Sequence, residues 1–388
     1  MNAKTKLGIS VSIIIAIIIT SQSNINGLFS IGSNNIKIDN DSSTSKTLKI
    51  GYFPNVNHAQ AIIGLKNGDF QKIIEGNTNA SQSKIKLKEF VFSDGPSAIE
   101  ALFGGQIDAA YVGPNPAING YIASGKEGLQ IISGASSGGA VFVVRNDSGI
   151  NSVKDLGGKK FASPQLGNTQ DISLRKYIVK NGFNTVENGG NVTIVAINPS
   201  DILTLMIKKQ IDGAWVPEPW GARLVKDGDA KIFVDERSLW PPTGKFVTAN
   251  IIVRTDYLKE NPDVIKKLLE ANVDETLWIN KQLNKTNING INENNNSNSN
   301  ILKVINAFNN GLKQITGKTI PNDELKEAFA RTDFTYDPLK QSLYKIGNDA
   351  NSLGFISNTK GKKLDISGIY DLTLLNKVLQ EKGLKGII

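Results

Sequence analysis

The chain of 388 residues contains no cysteine and a single histidine, His58. Without cysteine there are no disulfide bonds, no thiol chemistry and no cysteine-ligated metals. One histidine is also too few for a histidine-rich metal site. A phosphate-binding loop of the form G-x-x-x-x-G-K-[ST] is missing as well. We therefore predict no metal, no other cofactor and no catalytic residues.

The charge distribution excludes a further class of partner. The 44 basic and 36 acidic residues leave a formal net charge of +8, but no dense basic run with interleaved aromatic residues occurs. We therefore predict no nucleic-acid partner. The mild basic excess suits an anionic ligand or an anionic membrane surface. A hydrophobic content of 39% is typical of globular proteins, and the length is sufficient for two lobes.

Residues 1–30 have the pattern of an export signal or a membrane anchor. Lys4 and Lys6 precede Leu7–Ile19, which carries no charge, as in the n- and h-regions of a signal peptide. The apolar run is short for a membrane span, but the next charge is Lys37, so a retained anchor and a cleaved signal both stay open. Residues 31–46 are polar and are predicted to form a flexible linker. We expect an exported protein, extracellular or at the cell surface.

The stretch Asp94–Ala123 predicts a helix, a strand and a second helix. Gly95, Pro96 and Ser97 begin the first helix, where a first-turn proline loses no hydrogen bond. After the apolar strand, Asn115 is predicted to cap the second helix, which then opens on a proline. Two helix N-termini would lie close together, each with free backbone N–H groups and a positive dipole end. Such a pair suits a small anion.

One local pattern occurs twice in the chain. A helix end, Gln-Ile-Asp, a strand and a proline-bracketed turn appear as GGQIDAAYVGPNP at 104–116 and as KKQIDGAWVPEPW at 208–220. Strands and helices alternate around both copies, which predicts an α/β fold of two lobes, each a mainly parallel sheet flanked by helices. The turns of both lobes then lie at carboxyl ends of strands, the edge where open α/β sheets bind ligands.

A further turn, in the segment PQLGNTQDISLR, supplies candidate anion-binding residues. Asn168 or Thr169 caps the helix that follows. The next backbone N–H groups, from Gln170 onwards, then have no acceptor within the helix and face outward. Asp171 is a first-turn carboxylate, which favours the helix dipole. By itself the turn is either an ordinary capped helix start or an anion site, and its occurrence together with the other turns favours the anion site.

The remaining candidates come from two other turns. Asn55 and His58 follow the first strand, and His58 is either a polar residue of a first helical turn or a ligand contact. Glu218 and Trp220 lie in the segment WVPEPW. Trp220 can cover an apolar part of the ligand. Glu218 supplies negative charge at a helix start, accepts a hydrogen bond from an amine or hydroxyl of the ligand, or pairs with Arg223 or a lysine.

Four segments resemble one protein family: KIGYFPNVNHAQAIIGLKNGDF, GPSAIEALFGGQIDAAYVGPNPAINGY, PQLGNTQDISLR and WVPEPWGARL. They look like the substrate-binding proteins of ABC importers for aliphatic sulfonates, taurine and nitrate. The resemblance implies the two-lobed type II periplasmic-binding-protein fold, with the ligand cleft between the lobes. Lobe one is expected at 48–139 plus 250–388 and lobe two at 140–249. Residues 284–300 are Asn-rich and are expected to be a disordered insertion.

The same resemblance implies the function. We expect capture of a small organic oxyanion, an aliphatic sulfonate such as taurine, and its delivery to an ABC permease and ATPase. The protein is expected to be a monomer and not an enzyme, with membrane association through its N-terminus left open. Nitrate, bicarbonate or a thiamine precursor are alternative ligands, and a pyrimidine-precursor-forming enzyme on the same scaffold is the alternative from another class.

Overall fold

The computed structural model describes residues 46–75, 85–283, 297–356 and 363–387. The predicted signal or anchor, the linker up to residue 45 and most of the Asn-rich segment, 284–296, lie outside these residues. The end of that segment, from Ser297 to Asn300, forms the start of a helix, so the predicted disorder does not extend that far. None of the helices in the described ranges has the length and apolar character that spanning a membrane requires.

The described residues contain eleven strands in two sheets. The first sheet has the order β11-β4-β10-β3-β1-β2 and the second has the order β7-β6-β8-β5-β9. In chain order the strands are β1 (Thr47–Tyr52), β2 (Lys86–Val91), β3 (Ala109–Val112), β4 (Leu129–Gly138), β5 (Ala140–Arg145), β6 (Lys160–Ser163), β7 (Thr193–Ala196), β8 (Gly213–Pro217), β9 (Ala230–Asp235), β10 (Val247–Arg254) and β11 (Thr332–Phe334).

Both sheets mix parallel and antiparallel strands. Strand β1 is parallel to β2 and β3, and β6 is parallel to β7 and β8. Strand β10 is antiparallel to β3 and β4, and β5 is antiparallel to β8 and β9. Strands β5 and β10 each enter their sheet directly from the other lobe. They therefore run antiparallel to their neighbours, whereas the strands joined by a crossover helix run parallel. The prediction of mainly parallel sheets therefore holds only for the βαβ part of each lobe.

Helices cover both faces of each sheet in the described part of the chain. They are α1 (Ala59–Lys66), α2 (Asp69–Glu75), α3 (Gly95–Phe103), α4 (Pro114–Ala123), α5 (Thr169–Lys180), α6 (Pro199–Ile207), α7 (Trp220–Asp227), α8 (Thr255–Glu260), α9 (Pro262–Gln282), α10 (Ser297–Thr316), α11 (Asn322–Arg331), α12 (Lys340–Ser352) and α13 (Thr373–Glu381).

Each sheet with its helices is called a lobe below, the first lobe for the first sheet and the second lobe for the second. In the first lobe, α1, α9 and α10 pack on one sheet face, and α3, α4 and α12 pack on the other. In the second lobe, α6 and α7 cover one face and α5 covers the other. The helices pack on the sheets through apolar stripes. Helix α9 is an example, because it buries Val264, Ile265, Leu268 and Leu269, which have the spacing of a core-facing helical stripe.

The chain crosses between the lobes after β4 and after β9. The first crossing is Gly139 alone, with φ of 68°, and a Cβ there would lie 2.3 Å from Oγ1 of Thr332. Glycine is therefore required by both conformation and space. Strand β4 extends up to Gly138 and pairs there with β11.

Candidate ligand-binding site

A cavity of about 30 Å³ lies between the two lobes, which is room for roughly two water molecules. Both lobes line it, and none of the lining residues is Asp, Glu, Lys or Arg. The first lobe contributes Phe53, Asn55, Asn57, His58, Ser93, Gly113 and Thr248, and the second contributes Pro164, Asn168, Thr169, Gln170, Pro199 and Pro217. We call this space the cleft cavity.

The N-terminus of α5 faces the cleft cavity. Asn168 is the N-cap, and its Oδ1 accepts a hydrogen bond from the backbone N–H of Thr169 at 2.9 Å, as predicted. The first-turn N–H groups of Gln170 and Asp171 have no acceptor within the helix. The Oγ1 atom of Thr169 is buried and has no hydrogen-bond partner among the described residues. This end of α5 therefore offers donors to an anion in the cavity.

Asp171 organises this turn and does not line the cavity. Its buried carboxylate accepts hydrogen bonds from Ser163 Oγ at 2.7 Å, from the Gly167 N–H at 2.9 Å and from Arg175 Nε at 3.0 Å. These contacts fix the loop before α5 and compensate the buried charge. Its role in the structure is thus to hold Asn168 and its neighbours in position.

Helix α4 begins two residues earlier than predicted. Its N-cap is Gly113 and its first residue is Pro114, so the prediction that Asn115 caps the helix is wrong. Pro114 already has the φ angle that the first helical position needs. Because Pro114 and Pro116 have no N–H, only Asn115 provides a first-turn donor, and α4 is a weaker anion site than the sequence indicates.

Helix α3 also offers less than the sequence indicates. Its N-cap is Asp94, whose carboxylate accepts hydrogen bonds from the backbone N–H of Ser97 at 2.9 Å and from Ser97 Oγ at 2.7 Å. The chain's own carboxylate therefore occupies this N-terminus. Gly95, Pro96 and Ser97 do not line the cleft cavity, whereas Ser93 does.

His58 lines the cavity as a neutral hydrogen-bond donor. The backbone N–H of Phe53 donates to its Nδ1 at 3.3 Å, so the ring proton belongs on Nε2. Burial lowers the pKa of His58 to about 3, which keeps the imidazole uncharged at neutral pH. Asn55 closes the same turn, because its carbonyl accepts from the His58 N–H at 3.0 Å.

Sequence reasoning missed Asn57 and Thr248. The Nδ2 of Asn57 donates to Thr248 Oγ1 and to the Gly138 carbonyl, both at 3.0 Å, while its buried Oδ1 has no partner in the described ranges. These bonds join the first turn to the crossing between the lobes. Thr248 and Asn250 interrupt the apolar residues of the segment VTANIIVR, and that interruption is a signal from which Thr248 could have been found.

Two buried amides next to the lining residues have no hydrogen bonds. Asn115 follows Gly113 by two positions, and Asn250 follows Thr248 by two positions. They are 1% and 0% exposed, and all four amide atoms are without a partner in the described part of the chain. Buried polar atoms are normally hydrogen-bonded, to protein, water or ligand. Neither residue lines the cleft cavity, so their amides are buried polar groups of the first lobe close in sequence to it.

Glu218 and Trp220 lie outside the cavity lining, which reaches only Pro217. The buried Glu218 carboxylate accepts from Arg331 Nε at 2.6 Å and from the Ala222 N–H at 3.0 Å. Burial raises the pKa of Glu218, and Arg331 opposes that shift. Trp220 packs on the aliphatic core of α6 and α7. A ligand amine therefore finds no carboxylate among the cavity-lining residues.

Comparisons with known proteins agree with this architecture. The model of the NMT1-like family matches residues 41–291. A Bacillus subtilis protein named for binding aliphatic sulfonates is 23% identical over 76% of this chain and 80% of its own length. The nitrate/nitrite binding protein of Nostoc sp. is 26% identical over 61% of this chain and 54% of its own length. The chain spans about half the length of the first curated relatives it matches.

A solved structure supports the fold. The alkanesulfonate-binding protein from Xanthomonas axonopodis pv. citri superposes with a TM-score of 0.60 at 18% identity, over 80% of this chain and 92% of that one. Another solved structure with the generic periplasmic-binding-protein fold, from Candida albicans, covers 88% of this chain with a TM-score of 0.54. The predicted two-lobed α/β fold class is therefore confirmed.

Proposed function

Since this chain belongs to the NMT1-like family, we propose that it is the substrate-binding component of an ABC importer for a small oxyanion, with a short alkanesulfonate as its ligand. The cleft cavity carries the proposal: residues of both lobes line it, none of them is Asp, Glu, Lys or Arg, and one of them, Thr169, has a buried hydroxyl without a partner among the described residues. Neutral donors can hold an anion without introducing a buried cation.

The proposed contacts come mainly from the second lobe. The first-turn N–H groups and the Oγ1 of Thr169 donate to the oxyanion, and the Nε2–H of His58 donates from the first lobe. A ligand held by both lobes favours the closed arrangement in proportion to its greater affinity for that arrangement. The closed protein would then deliver its ligand to the permease and its ATPase. Export and a monomeric state belong to the same proposal.

Two features bear on the choice of ligand. The Glu218 carboxylate, which was expected to meet the amine of taurine, does not line the cavity, and this favours a ligand without an amine. The cavity volume of about 30 Å³ favours a ligand of few atoms. Nitrate is therefore the second candidate, and the Nostoc relative carries nitrate in its name.

The test is calorimetry and thermal unfolding of the purified chain with methanesulfonate, ethanesulfonate, taurine and nitrate. We expect stabilisation that grows with the concentration of the alkanesulfonates, and recovery of the ligand unchanged. Thr169→Val should weaken binding about tenfold to a hundredfold, since a hydrogen bond to a charged group contributes about 1.5–3 kcal/mol. Thr204→Val, on α6 of the same lobe, is the matched control and should bind normally.

If only nitrate stabilises the protein, nitrate and not an alkanesulfonate is the ligand. No response to any oxyanion, or equal affinity in Thr169→Val and the wild type, would refute the cleft cavity as the oxyanion site. Chemical conversion of the bound compound would refute a purely binding function.

A further inference from the structure

A second cavity, of about 80 Å³, lies between α5 of the second lobe and α12 of the first. Helix α5 contributes to both cavities, because Thr169 and Gln170 line the cleft cavity while its later turns line the second one. The lining residues of the second cavity are Ile172, Ser173, Lys176, Tyr177, Lys180, Trp215, Glu236, Leu239, Trp240, Lys345, Ile346 and Asp349. It is thus a separate space formed by the same two lobes.

The inner wall of the second cavity is apolar apart from Ser173 and Glu236, which are hydrogen-bonded to each other. Trp215, Ile172 and Ile346 are buried, and Trp240 stacks on Phe246 with ring centres 5.3 Å apart. The buried Glu236 is already satisfied: its Oε2 accepts from Trp215 Nε1 at 2.7 Å and its Oε1 accepts from Ser173 Oγ at 2.9 Å. Burial raises the pKa of Glu236 to about 7. The inner wall therefore suits an apolar group.

The rim of the second cavity is cationic. Three lysines, Lys176, Lys180 and Lys345, outnumber the two carboxylates of the lining, Asp349 at the rim and the buried Glu236. Asp349 pairs with Lys176 at 3.3 Å and with Lys345 at 3.0 Å, and the Lys345 ammonium also lies 4.2 Å from the centre of the Trp240 ring. Lys180 has no ion pair among the described residues. A net positive rim over an apolar wall matches a small amphipathic anion.

We propose that the second cavity is a binding site for a small organic carboxylate with a short alkyl tail. The tail lies against Leu239, Trp240 and Ile346, and the carboxylate pairs with Lys180 and Lys176 at the rim. The volume limits the tail to a few carbon atoms, and three ammonium groups disfavour an amine. The site does not depend on which ligand occupies the cleft cavity.

Occupancy of the second cavity should affect the cleft. Its walls come from α5 and α12 of different lobes, so an occupant favours the arrangement in which these helices face each other. A cleft ligand favours that same arrangement. The two ligands should therefore increase each other's affinity by the same factor, which gives the second cavity a regulatory role.

The experiment uses the full chain, butyrate as the probe and tryptophan emission as the readout. Trp215 and Trp240 line the second cavity, so butyrate should change the emission in a saturable manner. Butylammonium, with the same tail and the opposite charge, should not. Equal responses to the two probes, or no saturable response to butyrate, would overturn the proposal.

Substitutions of charged residues test where butyrate binds. Lys180→Gln should weaken butyrate binding about two- to fivefold, as expected for a solvent-exposed ion pair, and Lys180→Glu should weaken it further. Lys154→Gln, an exposed lysine elsewhere in the second lobe, is the control and should bind butyrate normally. Thr169→Val should also bind it normally. If Thr169→Val removes the response and Lys180→Glu keeps it, butyrate occupies the cleft cavity and the proposal is wrong.

Discussion

The ion pair between Glu218 and Arg331 links the two lobes and allows a quantitative prediction. Glu218 follows β8 in the second lobe and Arg331 ends α11 in the first, with Oε1 and Nε 2.6 Å apart. The Glu218 side chain is 0% exposed and the Arg331 side chain 11%. The Glu218 backbone also donates to Gly139 at 2.9 Å and accepts from Val56 at 3.0 Å. This residue is therefore fixed on several sides.

Replacement of Arg331 by leucine should strongly destabilise the protein. It leaves the buried Glu218 carboxylate with the N–H of Ala222 as its remaining donor. Removing one partner of a buried ion pair costs about 3–5 kcal/mol. Arg331 also pairs with the exposed Glu327 at 3.0 Å, which adds little, so we expect a loss of about 3 kcal/mol in the free energy of unfolding near pH 8.

The loss should depend on pH in a defined direction. Burial already raises the pKa of Glu218 above 4.5, and Arg331 opposes the shift, so leucine at 331 raises it further. A carboxyl with a raised pKa in the folded state keeps its stability at low pH and loses it as the pH rises through that pKa. The deficit of Arg331→Leu relative to the wild type should therefore be small near pH 4.5 and grow towards pH 8.

The assay is urea unfolding followed by circular dichroism between pH 4.5 and pH 8. The double variant Glu218→Gln, Arg331→Leu should recover more than half of the loss at pH 8, because it no longer buries an unpaired charge. The control is Lys126→Leu, which removes an exposed pair with Asp365 and should leave the free energy of unfolding nearly unchanged. A deficit independent of pH, or a double variant no more stable than Arg331→Leu, would refute the reasoning.

Two further predictions concern other buried titratable groups. Burial raises the pKa of Glu275 to about 8, so the stability that this carboxyl contributes is lost as the pH rises from 4.5 through 8. Between pH 5 and pH 9, the free energy of unfolding of Glu275→Met should therefore rise relative to the wild type by on the order of 2–4 kcal/mol. Urea unfolding measures this difference. Burial lowers the pKa of His58 to about 3, so stability should fall as the pH drops from 6.5 towards 3, with a shallower fall in His58→Gln. Because His58 stays neutral in the folded state, calorimetry should give a pH-independent oxyanion affinity between pH 5 and pH 8, whereas tighter binding on acidification would contradict the neutral-donor role.

Local sequence signals predicted most elements of the fold because caps and proline-bracketed turns act within a few residues. The strand that follows each Gln-Ile-Asp and the helix capped by Asn168 occur where the pattern indicates. The start of α4 was missed because Pro114 and Pro116 both fit a first helical turn. A long-range contact identifies the cap residue as glycine: a Cβ on Gly113 would lie 2.5 Å from Thr169 Oγ1 of the other lobe.

Part of the lining of the cleft cavity was predicted from the sequence, because turns at the ends of strands can be recognised locally. The loops named from sequence place Asn55, His58, Asn168, Thr169 and Gln170 in one cavity, because carboxyl ends of strands meet at one edge of each sheet. The role of the Glu218 carboxylate could not be predicted from its turn, because its partner lies far away in the sequence. Arg331 is 113 positions from Glu218, and no local pattern reveals such a partner.

The missing donors of α4 define how the proposed site must work. Two prolines leave its first turn with the single N–H of Asn115, and Asp94 fills the N-terminus of α3. The oxyanion's charge must then be met mainly by α5 of the second lobe, whose first turn keeps its N–H groups. In the proposed site the first lobe adds the Nε2–H of His58, which lines the cleft cavity and reaches the ligand only when the lobes are together. The two prolines of α4 therefore favour a form of the proposed site in which the second lobe supplies most of the donors.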